Sequence, residues 1–123
     1  MAEEAESSPR LTRVGPTRVG VAGWSYPDWN GIVYPRELRV DPLSYLAKFF
    51  DTLEVNSSFY RIPSPRTTAS WAERAQPNPS FRFTLKLCKR FTHERQATAE
   101  DERAFARALA PLIEAGVLGA VLL

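Results

Sequence analysis

The residues best placed for chemistry lie in residues 50–60, which read FDTLEVNSSFY. The centre of this stretch, residues 52–56, is a short β-prone run, and side chains in a strand alternate between faces. Leu53 and Val55 therefore point one way, and Glu54 and Asn56 the other. Helical patterns on both sides argue for a buried parallel strand, which normally reads as continuously apolar. A carboxylate and an amide there need partners, because unpaired buried charge is costly. Two readings follow: a functional site, or a satisfied structural pair.

Other chemistry-bearing residues are grouped nearby. Residues 81–87 (FRFTLKL) put Phe81, Phe83, Leu85 and Leu87 on one face, with Arg82, Thr84 and Lys86 on the other. A basic loop follows, with Lys89, Arg90, His93 and Arg95. Residues 23–31 (GWSYPDWNG) form a loop that carries Trp24, Tyr26 and Trp29. Loops usually shed aromatics, so these should line either a pocket or the underside of a folded-back loop.

Several chemistries lack support. Cys88 is the single cysteine, so no intramolecular disulfide forms, and no Cys-His-acid spacing makes it a nucleophile. One histidine and scattered carboxylates fall short of a metal-ligand set. Gly20, Gly23 and Gly31 have the wrong spacing for either common phosphate-binding fingerprint. No metal is assigned, and no cofactor is indicated.

The elements that must position these residues alternate in type. Residues 1–17 are polar and read as a disordered tail. Residues 18–22 (RVGVA) form a first short strand. Asp41-Pro42 opens a helix as N-cap and first helical residue, and Leu43, Leu46, Ala47 and Phe50 make its apolar stripe. Ser64-Pro65 opens the next helix, with Thr68, Trp71, Ala72 and Ala75 inward. A last helix spans about residues 99–114, with Phe105, Leu109, Leu112 and Ile113 on one side. Pro111 is expected to kink or break it, and Gly116 to cap its end. Residues 117–123 (VLGAVLL) begin a fourth strand. The resulting series is α/β, and periodicity alone leaves an open doubly wound sheet and a barrel both standing.

Composition bounds the rest. The 123 residues make one domain at most, with 44% hydrophobic and 24% charged residues. The net charge of +2, from 16 Lys+Arg against 14 Asp+Glu, gives no push toward nucleic acid. Glu3, Glu4 and Glu6 rule out a secretory leader at the N-terminus, and no apolar run approaches the ~20 residues that span a bilayer. No membrane association and a cytoplasmic location are expected, consistent with the lone cysteine.

The separated strings 23–29 (GWSYPDW), 33–35 (VYP) and 50–60, then Trp71, 81–86 (FRFTLK) and Thr92-His93, keep an order that resembles the YecE-like family, the domain of unknown function 72. The resemblance covers about residues 18–123. Ser58 stands where the family usually has threonine, which keeps the hydroxyl. The resemblance implies the first half, about four β/α units, of a TIM-type (β/α)₈ barrel, so residues 18–123 are expected to form a partial domain truncated at its C-terminus.

The barrel reading places sites at the C-terminal ends of the strands. Glu54 then serves as a general base or metal ligand, Lys86 as an electrostatic stabiliser and His93 as an acid/base or ligand. Trp24, Ser25, Tyr26, Asn56 and Tyr60 bind the substrate, and all of these converge on one mouth. The bland alternative is a buried Glu54–Lys86 ion pair. The leading functional expectation is a small-molecule enzyme. One alternative is a nucleotide or nucleic-acid binding module, with the loop aromatics stacking and Lys89, Arg90 and Arg95 neutralising phosphate. Another is a truncated fragment with no independent activity, which self-associates or pairs with a complementary half-barrel because its sheet edges are open.

Overall fold

The structure is a computed structural model and describes residues 17–37 and 39–123. Most of the expected tail therefore lies outside the described residues. The elements are β1 (Gly20–Ala22), a 3₁₀ turn (Pro27–Trp29), α1 (Pro42–Leu46), β2 (Thr52–Val55), α2 (Ser57–Tyr60), α3 (Pro65–Arg74), β3 (Arg82–Lys86), α4 (Ala99–Glu114) and β4 (Leu118–Leu122). The four strands form one sheet in the order β1-β2-β3-β4, and every neighbouring pair is parallel. This is an α/β fold built on a parallel sheet.

The helix starts follow from local chemistry. Asp41 caps α1 by accepting from the Ser44 N–H at 2.9 Å, with Pro42 at the first position. Ser64 caps α3 in the same way through the Thr67 N–H. Thr98 caps α4 in a reciprocal capping box with Asp101. A five-residue helix such as α1 has almost no stability of its own. It is tied to α3 by the Arg74 guanidinium, which donates to both Asp41 carboxylate oxygens. Asn78, just past α3, donates to the carbonyls of Ala47 and Phe50.

Pro111 does not break the last helix, which runs unbroken from Ala99 to Glu114. The residue lies in the final turn, so its missing N–H removes only one bond, to a carbonyl four residues back. Immediately beyond it the helix closes firmly. Gly116 has φ +73° and donates to Ile113 O, while Val117 donates to Leu112 O, the paired bonds of a Schellman ending.

The two faces of the sheet differ. Leu53, Val55, Phe83 and Leu85 are fully buried against the helices, with Leu43, Leu46, Trp71, Ala75 and Leu112. Residues between them, Thr52, Glu54, Arg82 and Thr84, are half-buried, and Lys86 is exposed. The strict alternation in residues 81–87 thus has its apolar side toward the helices.

Candidate functional site

The parallel strands bring the ends of β1, β2 and β3 to one rim, and the loop after β1 folds over part of it. Gly23 starts this loop at φ +78° and donates to Glu54 O at 2.9 Å, continuing the strand pairing by one step. An added Cβ at Gly23 would meet the Tyr26 hydroxyl at 2.6 Å, so glycine is required for two reasons. The Tyr26 hydroxyl donates back to Ala22 O, and its ring leans on Trp29 with centroids 4.6 Å apart. Buried Tyr34 donates to Trp24 O at 2.7 Å.

The loop aromatics divide between the two expected roles. Trp24 turns toward the helices, meeting Trp71 edge-on at 5.6 Å, with the Arg74 guanidinium 5.9 Å from its ring. Trp29 packs between Tyr26 and Tyr34. Trp29 belongs to the underside of a folded-back loop, while Trp24 both packs inward and borders the pocket. Tyr26 is 40% exposed and borders an open cavity of about 240 Å³ between the loop and the end of β2. Gly23, Trp24, Ser25, Tyr26, Val55, Asn56 and Ser57 line it. Asn56 lies just past the strand, with helical backbone angles, and its side chain caps no helix.

A second cluster forms where α2 meets β3. The Ser58 hydroxyl is buried, 2.7 Å from Lys86 O and 3.1 Å from Val55 O, so it ties α2 to the ends of both strands. The Lys89 N–H donates to Phe59 O at 2.8 Å. Held at both points, Phe59 becomes a hub. Lys86 Nζ is 5.7 Å from its ring centroid, and His93 and Tyr60 each meet it perpendicularly at 5.1 Å. Tyr60, the last residue of α2, is 69% exposed, and Lys89 Nζ is 6.0 Å from its ring. Thr92 Oγ1 is 3.1 Å from His93 Nδ1.

Glu54 occupies a third position. It is in register with Ala22 on β1 and Thr84 on β3. Among the described residues, no hydrogen bond or ion pair engages its carboxylate. The Glu54–Lys86 ion pair expected under the bland reading is therefore not formed. Lys86 lies two residues beyond Thr84, about 7 Å further along the strand, and its ammonium turns to Phe59.

Apart from Glu54, which belongs to neither, the expected residues thus form two adjoining groups rather than a single ring. Trp24, Ser25, Tyr26 and Asn56 share the cavity, while Lys86, His93 and Tyr60 share the Phe59 hub. Ser57 joins them, lining both the cavity and an open depression that includes Tyr60 and Arg61. Sequence reasoning missed Ser57 and the role of Phe59. The signal for Phe59 was its place in an aromatic pair directly after a β-prone run.

Two of the three cations expected to face nucleic acid are already paired. Lys89 meets Glu94 at 3.4 Å, and Arg90 meets Asp101 at 3.0 Å. The Thr98 N–H and then Arg90 hold the Asp101 carboxyl below its ordinary pKa. Glu100 is lowered likewise by Arg107 and Arg103. At Asp41, partial burial works upward, but hydrogen bonds from Arg74 and Ser44 outweigh it and hold the carboxyl low. Burial, and then the charge of Asp41, push the Tyr34 phenol up. Among the described residues, no group of three or more His, Cys, Asp or Glu side chains comes together as a metal set. No helix among them is long and apolar enough to cross a membrane.

The family described as protein of unknown function DUF72 matches residues 18–123, nearly all of the described chain. The chain belongs to the DUF72 family. UPF0759 protein YecE of Escherichia coli K12 is 29% identical over 76 residues, 62% of this chain and 25% of that protein. The YecE of Escherichia coli O157:H7 matches to the same extent. A crystal structure of a DUF72 family protein from Enterococcus faecalis V583 superposes with a TM-score of 0.66 at 24% identity, over 85% of this chain and 38% of that one. A second crystal structure of that protein gives 0.56 at 26% identity, over 64% and 33%. The alignments span about a quarter of the curated relatives and just over a third of the solved chain.

Proposed function

We propose that this DUF72 chain carries part of the small-molecule site of an enzyme, at the C-terminal rim of its strands. The observation that carries this reading is the cavity of about 240 Å³, in which Ser25 and Asn56 supply polar groups beside aromatic and apolar walls. Ligand sites commonly combine a concave, largely apolar lining with a few convergent polar groups. Glu54, next in sequence to the lining residue Val55 though not itself in the lining, serves as the general base, with a carboxylate that no hydrogen bond or ion pair engages among the described residues. Lys86 stabilises negative charge, and His93 exchanges a proton at the rim.

Under this proposal the sheet is the first half of a (β/α)₈ barrel. The sequential parallel order supports it, as does helix packing on one face only. A doubly wound sheet would reorder its strands and bury both faces. The other half, from further chain or from a complementary copy, would complete the mouth. The engagement of Lys89 and Arg90 in ion pairs favours a small molecule over nucleic acid.

The test is a metabolite-library thermal-shift screen on the protein from its native source, with its intact mass measured first. Expected are hits whose stabilisation falls in an Asn56→Ala variant, and turnover of a hit that Glu54→Gln abolishes. Hits that bind Asn56→Ala equally well would refute the cavity as the site.

A further inference from the structure

We infer that the substrate of this site bears a small anionic group, phosphate or carboxylate, which docks on Lys86 at the Phe59 hub. The inference rests on the small-molecule reading above and adds the class of ligand. Its basis is an imbalance of charge at the rim. Lys86 is exposed and, among the described residues, has no carboxylate partner. His93 packs on the same ring with its Nδ1 3.1 Å from Thr92 Oγ1, which leaves Nε2 as the nitrogen available to an anion. Glu94, the acidic residue within this loop and next to His93, is taken up by Lys89.

The backbone beneath the cation is held in place. The Ser58 hydroxyl fixes the carbonyl of Lys86, and the Lys89 N–H fixes that of Phe59. An ammonium resting on an aromatic face keeps its donors pointing outward and loses little freedom on binding. Glu54 stands two residues back on the adjacent strand, on the same face by register. Along the strand direction the backbone positions of the two residues are thus about 7 Å apart, and a ligand anchored at Lys86 extends toward the carboxylate from its other end. The substrate then carries its charge at one end and its reacting group at the other.

The chain contains a single histidine, so the imidazole C2–H resonance of His93 reports on this spot alone. The full protein is titrated with inorganic phosphate in one series and acetate in another. A saturable shift of that resonance with either anion is expected, the tighter one identifying phosphate or carboxylate as the group. Lys86→Ala should weaken it at least about tenfold, and Lys86→Arg should retain it. Thermal unfolding of both variants should match the parent. A linear shift, or one equal in Lys86→Ala, overturns the inference. So does tighter, steeply salt-dependent binding of an oligothymidylate at the same resonance, which would mark a nucleic-acid surface. Neutral hits that still depend on Asn56, with no anion response at His93, would sink this inference and leave the small-molecule site standing.

Discussion

The sheet has two faces made by the same strands, and they are used for opposite purposes. On β2 and β3, Leu53, Val55, Phe83 and Leu85 have essentially no exposure, while Thr52, Glu54, Arg82 and Thr84 between them remain half-buried. Burial of large apolar side chains is the main source of stability. The covered face therefore holds the fold together, and the open face is free to carry groups that would be costly in a core. The difference teaches where to look for each kind of mutational effect: one residue along the strand should change the phenotype from folding to chemistry.

The sharpest break of that contrast is Phe83→Ala. It removes a fully buried ring that packs on Phe81 and Trp71, and a loss of about 3–5 kcal/mol is expected in urea unfolding. A cost below about 1 kcal/mol would mean that the two faces are energetically alike. Ser58→Ala comes next, at about 1–3 kcal/mol, because it removes a buried hydroxyl whose one proton is shared between the carbonyls of Lys86 and Val55. Ser58→Thr should restore most of it, and unequal recovery of stability and anion response would separate packing from positioning.

Asp41→Ala should cost about 1 kcal/mol through the lost cap, and it also sharpens the pH behaviour. The folded carboxyl is held below its ordinary value, so its stabilisation is full above the unfolded pKa of about 4 and is lost as pH falls through the folded value. Melting temperatures measured down through this acid range should drop less steeply for Asp41→Asn than for the parent. The smallest effect on stability is expected at Glu54→Gln, within about 0.5 kcal/mol, with turnover abolished. A large gain in stability would instead show that the free carboxylate is strained.

Much of this was legible in the sequence, and the reasons are local. Asp41-Pro42 and Ser64-Pro65 announce helices because a side-chain acceptor and a fixed φ act within four residues. The alternation in residues 81–87 separates the faces before any tertiary contact is known. The short α2 was not legible, since four residues cannot show a helical period, and the turn at Pro27–Trp29 escaped for the same reason. Pro111 misled because a rule for helix interiors was applied to a last turn. For the site, the strand positions of Glu54 and Lys86 followed from alternation and the family fold. The division into a cavity and an aromatic hub did not, because it depends on where the Ser58 hydroxyl and the Lys89 N–H land.

The clasp between Asp41 and Arg74 has a consequence for how the molecule opens. With only five residues, α1 has too few internal bonds to persist when its partner leaves. Its start is gripped by a guanidinium from α3, and the carbonyls after its end by Asn78. The two helices should therefore behave as one cooperative unit in native-state hydrogen exchange. The amides of Ala47 and Ala75 would share an opening free energy, and Arg74→Ala would speed exchange at Ala47 although the mutation sits on another helix.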